Sequence, residues 1–228
     1  MIEPLKLHRV RVWDLPTRIF HWSLPICFTG LIVTGSIGGG ALNWHFRFGY
    51  AMASLLLFRV FWGLVGGRWS RFAAFIYSPS VVLDYLKGAR RPEDSIGHSP
   101  LGAASVFAML SFLIAQVVSG MMSDDEISAA GPLTRFVSNN TVSLASNYHA
   151  DIGKWILLAL VVLHLAAIGF YHLRRHRLIV AMVSGDKALE VLLPGSRDDK
   201  ATRLIALAIF AVCAAGVYWI STLDAPAF

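Results

Sequence analysis

Four histidines, His21, His45, His149 and His164, lie within or at the ends of long apolar segments of this 228-residue chain. An ionisable ring at membrane depth is expensive and marks chemistry by default. Imidazole there serves two purposes well: passing protons, or ligating a metal centre such as haem iron from the axial position. Ligation by two histidines needs rings from two helices at matched depth, and the spacing offers this twice. His149 and His164 share one apolar segment, fifteen residues apart, which is about 22 Å along an α-helix. Fifteen steps of about 100° bring the two side chains within about 60° of one direction. One helix can thus present two ligands at two depths. The natural pairs are His45 with His149 on one side of the membrane and His21 with His164 on the other.

The pairing by depth is close for the first pair and looser for the second. His21 follows Arg18 by three residues and His164 precedes Arg174 by ten, an axial offset of about 10 Å. Tilt, or snorkelling of Arg18, absorbs an offset of that size. His172 competes with His164, but it stands in the basic run His172-Leu173-Arg174-Arg175-His176, which reads as an interfacial helix end, so His164 is preferred. A lone histidine at a helix end is more often hydrogen-bonded than ligating. His8, His98, His172 and His176 carry that reading.

The elements that must position these rings are membrane helices. Only 15% of residues are charged and the mean hydropathy is +0.59, whereas about a quarter of a soluble domain is charged. Crossing the hydrocarbon core takes about 20 apolar residues. Segments near 17–38, 45–66, 101–122, 150–172 and 204–222 qualify, so the fold class is an all-α polytopic membrane helix bundle. The first apolar block starts near Ile19, reaches full spanning length and shows no small-residue cleavage site, so it reads as a span and not a signal peptide. Cys27 and Cys213 fall inside apolar segments and have neither disulfide nor metal-site spacing.

The net charge of +6 comes from basic residues flanking spans and calls for no nucleic-acid partner. Lys6, Arg9, Arg11 and Arg18 precede span one. Arg68, Arg71, Lys87, Arg90 and Arg91 separate spans two and three, and a run from Arg174 to Arg203 separates spans four and five. The other side holds only Arg47, Arg135 and Lys154, with the acidic run Asp124, Asp125 and Glu126. The asymmetry puts the N-terminus in the cytoplasm and, with five spans, the C-terminus outside. A short helix is expected from Ser78 to Lys87, with Ser78 as cap and Pro79 at the first helical position.

Several motifs together resemble the bacterial cytochrome b561 and nickel–iron hydrogenase cytochrome b family. Trp13-Asp14-Leu15-Pro16-Thr17-Arg18-Ile19-Phe20-His21-Trp22 resembles its first span. His45-Phe46-Arg47-Phe48-Gly49-Tyr50 and Arg59-Val60-Phe61-Trp62-Gly63 resemble its second. Gly97-His98-Ser99-Pro100-Leu101-Gly102 is similar to the loop before span three. Tyr148-His149, the run to Leu163-His164, and Ala181-Met182-Val183-Ser184-Gly185 resemble span four and its tail. The likeness covers about residues 10–190.

The resemblance implies a four-helix core holding two b-type haems, ligated by His21 with His164 and by His45 with His149. It implies an electron-transfer subunit of an oxidoreductase in the bacterial inner membrane. Such a subunit works between the quinone pool and a periplasmic-side partner: a hydrogenase, a c-type cytochrome or another dehydrogenase. The expected domains are 1–190 for the di-haem unit and 191–228 for a linker and a fifth helix that carries no histidine. Self-association as a homo-oligomer is compatible with this plan. One departure stands out. The family's fourth-span histidines are usually fourteen apart, and fifteen here turns the rings by about 100°, so a helix irregularity is expected near Asp151–Lys154.

Haem propionates and a quinone need polar partners. Arg59, the basic residue deepest within a span, is the candidate for an inner propionate. Arg47 is the outer candidate, and His98 is a candidate for a propionate or a quinone carbonyl. Gly30, Gly35, Gly49 and Gly120 are candidate positions for a porphyrin to approach the backbone; small residues at helix contacts explain them equally well. The tryptophans near span ends fit an aromatic belt. The acidic run is a candidate docking patch for a basic redox partner, with a solvated loop as the plainer reading. Two other classes stay open: a transporter with a histidine proton relay, and a haem-free membrane anchor. The spans carry few acidic residues for a relay, an anchor leaves the paired histidines unexplained, and neither would copurify with haem.

Overall fold

A computed structural model describes residues 7–89, 96–127, 129–175, 177–189 and 193–223. Lys6, Arg90, Arg91 and His176 lie outside the described residues. Among the described residues, five helical segments are long and apolar enough to cross a membrane: Leu15–Ile37, Gly39–Val65, Pro100–Met121, Asn139–Leu173 and Lys200–Ser221. The α-helices are α1 (Leu15–Ile37), α2 (Leu42–Val65), α3 (Pro79–Leu86), α4 (Pro100–Met121), α5 (Asn139–Asn147), α6 (Lys154–Leu173), α7 (Leu178–Ser184) and α8 (Lys200–Ser221). The protein is a multi-pass helical membrane bundle. Its spans turn large apolar side chains outward, as Leu204, Leu207, Val212 and Trp219 do on α8, which suits lipid as the surrounding solvent. The most buried span is α2.

Contacts divide the chain into two units. The first comprises Met1–Phe20, Arg59–Phe107 and His164–Leu207. Here strand β1 (His8–Arg11) pairs antiparallel with β2 (Asp186–Leu189), with Arg11 opposite Asp186. The helical periodicity of the sequence gave no sign of this ribbon. Arg9 and Arg11, two apart on one strand, both bind Asp186, at 2.7 and 2.6 Å, while Val10 points into the core.

Asp14 ends the strand and caps α1: its Oδ1 accepts from Thr17 N at 2.8 Å. Fully buried, Asp14 also accepts from Trp62 Nε1 (3.2 Å), Gly67 N (3.2 Å) and Ser70 Oγ (2.8 Å). A Cβ on Gly67 would strike that carboxylate, so only glycine lets the backbone come close enough to donate. Helix α7 stops at Gly185, whose φ of 88° is left-handed. The Gly185 carbonyl accepts from Val12 N and Trp13 N.

The stretch before α8 is strapped down as well. Ser196 N donates to the Arg11 carbonyl at 2.7 Å, and Ser196 Oγ donates to the Val12 carbonyl at 2.8 Å. Asp198 gathers Arg11 (2.5 Å), Arg203 (3.0 Å) and Leu15 N (3.1 Å). Burial disfavours its charge, but the Arg203 and Leu15 hydrogen bonds and the charges of Arg203 and Arg11 outweigh this and hold the carboxyl below its ordinary range.

The second unit comprises His21–Phe58, Ala108–Leu163 and Ala208–Phe228. Gly30 on α1 leaves room for the Phe48 ring of α2, and Phe58 meets Phe210 of α8 edge-on. Ser138 caps α5, accepting from Thr141 N at 3.3 Å. The fourth span begins well before residue 150 because α5 runs into a π-helical turn, Tyr148–Gly153, and then into α6. The polar composition of Asn139–Asn147 hid that extension from a hydropathy reading. In the acidic loop, Glu126 N and Ala129 N donate to the Asp124 and Asp125 carboxylates, so two of its three charges also hold its own turns.

The expected short helix is present as α3, with Pro79 in its first turn and Ser78 in the cap position. The Ser78 hydroxyl pairs with Ser80 Oγ at 2.9 Å and makes no cap bond to a backbone N–H.

Candidate functional site

The second unit brings two of the four histidines together. His45, on the first turn of α2, and His149, in the π turn, stand with ring centroids 6.0 Å apart and planes at 88°. Both are half-buried. Each ring is oriented from behind by a backbone carbonyl. His45 Nδ1 lies 3.0 Å from Leu31 O on α1, and His149 Nδ1 lies 2.9 Å from Gln116 O on α4. A carbonyl only accepts, so Nδ1 carries the proton in both rings and each Nε2 is left as a free electron pair. This is the outer arrangement that metal-ligating histidines use to fix tautomer and direction.

The donor set fits a haem. Imidazoles on opposite sides of one metal, with metal–nitrogen bonds of about 2 Å, place their centroids on the order of 6 Å apart. Glycines provide the seats. A Cβ on Gly120 would stand 2.6 Å from His149 Cε1, and one on Gly35 would stand 3.0 Å from the His45 ring. Gly35 and Gly120 therefore admit the imidazoles, and Gly30 admits Phe48. Of the four glycines singled out for porphyrin approach, Gly49 is the one that faces open space.

The remaining sequence-derived candidates are distributed as follows. His21, in the second unit, is half-buried with Trp22 edge-on at 5.3 Å. His164, in the first unit, is half-buried on α6, whereas His172 near the end of that helix is exposed. Arg59 is 3% exposed. Its guanidinium lies over the Phe72 ring at 4.5 Å, and Nη1 has no hydrogen-bond partner, a buried cationic donor suited to a carboxylate. Arg47 is exposed and lies 4.8 Å over the Trp44 ring.

His98 is not a free loop residue. It packs between Trp13 (4.8 Å) and Phe75 (4.4 Å), and its carbonyl accepts from Tyr77 Oη. With Trp69, Ala74, Phe75, Tyr77 and Gly97 it lines a cavity of about 190 Å³. Nearby, Lys187 Nζ donates to the Ile96 carbonyl at 2.8 Å, and burial pushes its ammonium down to about 8.

Sequence reasoning passed over Asp14 and Gln116. Asp14 had a readable signal, since an aspartate followed by proline in the first turn, ahead of an apolar run, marks a helix start. Gln116 had one too, as a polar side chain inside an apolar span.

A helical membrane bundle that presents facing, carbonyl-oriented imidazoles has the makings of a membrane cytochrome. The family model for prokaryotic cytochrome b561 matches residues 12–185. The chain belongs to that family. It is 26% identical to the Escherichia coli K12 protein named "Probable Ni/Fe-hydrogenase 1 B-type cytochrome subunit", over 83% of this chain and 91% of that one. It is 24% identical to the corresponding Rhodobacter capsulatus protein, over 79% and 82%. It is also 24% identical to that of Rhizobium leguminosarum bv. viciae, over 81% and 91%. No solved structure matches the chain. The protein is accordingly a membrane b-type cytochrome that works in electron transfer, with haem b as the family's cofactor.

Proposed function

We propose that the chain is a di-haem cytochrome of the bacterial inner membrane that carries single electrons between a periplasmic-side redox partner and the quinone pool. His45 and His149 hold the outer haem, and His21 and His164 hold the inner one. The observation that carries this reading is the His45–His149 pair, 6.0 Å apart and with both Nδ1 atoms directed to carbonyls. Haem held by these histidines would supply one-electron chemistry. The chain's own work is to fix ring direction, neutralise propionates and exclude water.

Arg59 serves an inner propionate, supported by its burial and its unpartnered Nη1. Arg47 serves an outer one from the helix end that carries His45. His98 faces a quinone carbonyl or a propionate from the aromatic cavity. The relatives' names make a hydrogenase the leading partner, ahead of a c-type cytochrome. The lysine and arginine asymmetry supports a cytoplasmic N-terminus and a periplasmic C-terminus. Residues 1–190 form the haem-binding domain and α8 is a docking helix. Truncation before Lys200 then spares both haems and weakens assembly with a partner or a second copy.

The test is a dithionite-reduced minus oxidised spectrum with pyridine haemochrome quantitation. Two b haems per chain are expected. A folded preparation from haem-replete cells that holds none would overturn the reading.

A further inference from the structure

The π turn at Tyr148–Gly153 inserts one residue into the helix. It therefore turns His149 by about 100° relative to the α6 residues that follow, compared with an unbroken α-helix. Such turns are rare and often mark functional sites, and this one is held from outside the helix. The support comes from Gln116 on α4. Its side-chain Nε2 donates to the His149 carbonyl at 2.9 Å, while its own carbonyl accepts from His149 Nδ1 at 2.9 Å. Two bonds run in opposite directions between the same two residues. One holds the backbone of the π turn and the other holds the ring.

The surroundings are shaped for this contact. A Cβ on Gly153 would run into Gln116 Oε1, so glycine in the π turn lets the amide through. Gly120, one turn beyond Gln116 on α4, seats the imidazole. Gln116 Oε1 is buried without a hydrogen-bond partner. A buried acceptor left unmatched costs stability that an apolar side chain would not. The amide at this position is therefore explained by what its Nε2 does.

We propose that Gln116 is a positioning residue whose side-chain amide holds the π turn at His149 and so aims that imidazole at His45. The proposal rests on reading the pair as haem ligands, but the turn itself can be tested without haem. In Gln116→Leu the π turn loses its brace and the His149 ring swings away from its partner. Outer-haem retention should fall about 10- to 100-fold, the range for loss of a residue that orients a metal ligand. The low-spin signal of that haem in electron paramagnetic resonance should change, since it reports the angle between ligand planes, here 88°. The decisive variant combines Gln116→Leu with deletion of Ala150, an exposed residue of the π turn. Removing the inserted residue lets a regular α-helix point His149 the same way with no brace, so the outer haem should return.

In haem-free protein, hydrogen exchange at residues 148–154 should be faster in Gln116→Leu than in wild type. Wild-type haem content and resonance spectrum in Gln116→Leu would overturn the proposal. So would a double variant no better than the single one. Absence of haem from the wild type would instead sink the ligand reading, leaving hydrogen exchange to decide whether Gln116 holds the turn.

Discussion

Replacing Gly120 by alanine tests the seat of the outer ring directly. The added Cβ would stand 2.6 Å from His149 Cε1 and 2.8 Å from Nδ1, whereas ordinary contact begins near 3.4 Å. The ring must withdraw by about 0.8 Å, the difference between those distances. It cannot tilt freely, because Nδ1 is bound to the Gln116 carbonyl on the same helix as Gly120. A displacement approaching 1 Å at a site that tolerates about 0.5 Å costs on the order of 10- to 100-fold in metal-ligand function, or about 1.4–2.8 kcal/mol.

Gly35→Ala is the internal control. Its Cβ stands 3.0 Å from the His45 ring, so that ring needs to move only about 0.4 Å and the effect should be several-fold smaller. Haem stoichiometry by pyridine haemochrome, and a redox titration that resolves the two components, measure both variants. One haem component should weaken or shift in Gly120→Ala while the other holds. Unchanged stoichiometry and midpoints in Gly120→Ala would refute the reasoning, because the ring would then not be where a ligand must be.

Further outcomes follow from other residues. Arg59→Gln should lower the midpoint of the inner haem by on the order of tens of millivolts, since loss of a buried positive charge favours the oxidised form; an unchanged titration would remove Arg59 from the propionate site. Asp14→Asn offers one carbonyl oxygen where the carboxylate now accepts from four donors. Thermal unfolding in detergent should show a loss of about 2–4 kcal/mol. Asp198, held below the ordinary carboxylate range, stabilises the fold above about pH 4 and loses that contribution as pH falls further. In Asp198→Asn the acid limb of the stability profile should flatten. Lys187 behaves in the opposite sense. Its folded value of about 8 lies below the ordinary 10.5, so the unfolded chain binds more protons between those values and stability rises with pH across that window. Lys187→Met should abolish the rise.

Apolar run length settled the five spans apart from the start of the fourth, because lipid demands about 20 apolar residues per crossing whatever the tertiary arrangement. The four histidines were legible for a related reason: each is an ionisable group where such groups are costly. Against the spacing of fourteen that the family resemblance implies, the fifteen residues between His149 and His164 called for a helix irregularity near Asp151–Lys154, and the π turn at Tyr148–Gly153 overlaps that stretch. Charge counting identified Arg59, whose burial the structure confirms.

What sequence could not give was long-range pairing. Nothing local in His8–Arg11 announces its strand partner some 175 residues later, nor the common partners that Arg11 finds in Asp186 and Asp198. The role of Asp14 as a four-donor acceptor depends on Trp62, Gly67 and Ser70 arriving from another part of the chain. The glycines divided in a way no spacing predicts. Gly35 and Gly120 clear room for the His45 and His149 rings, Gly30 for Phe48, and Gly49 faces open space, because a missing Cβ has meaning only once its neighbour is known. The sequence by itself determined that this chain crosses a membrane with imidazoles in or at the ends of its spans, since apolar length and burial cost are local. Only the tertiary structure decided which carbonyls and which amide aim those imidazoles, because hydrogen-bond direction is set by what folds against each ring.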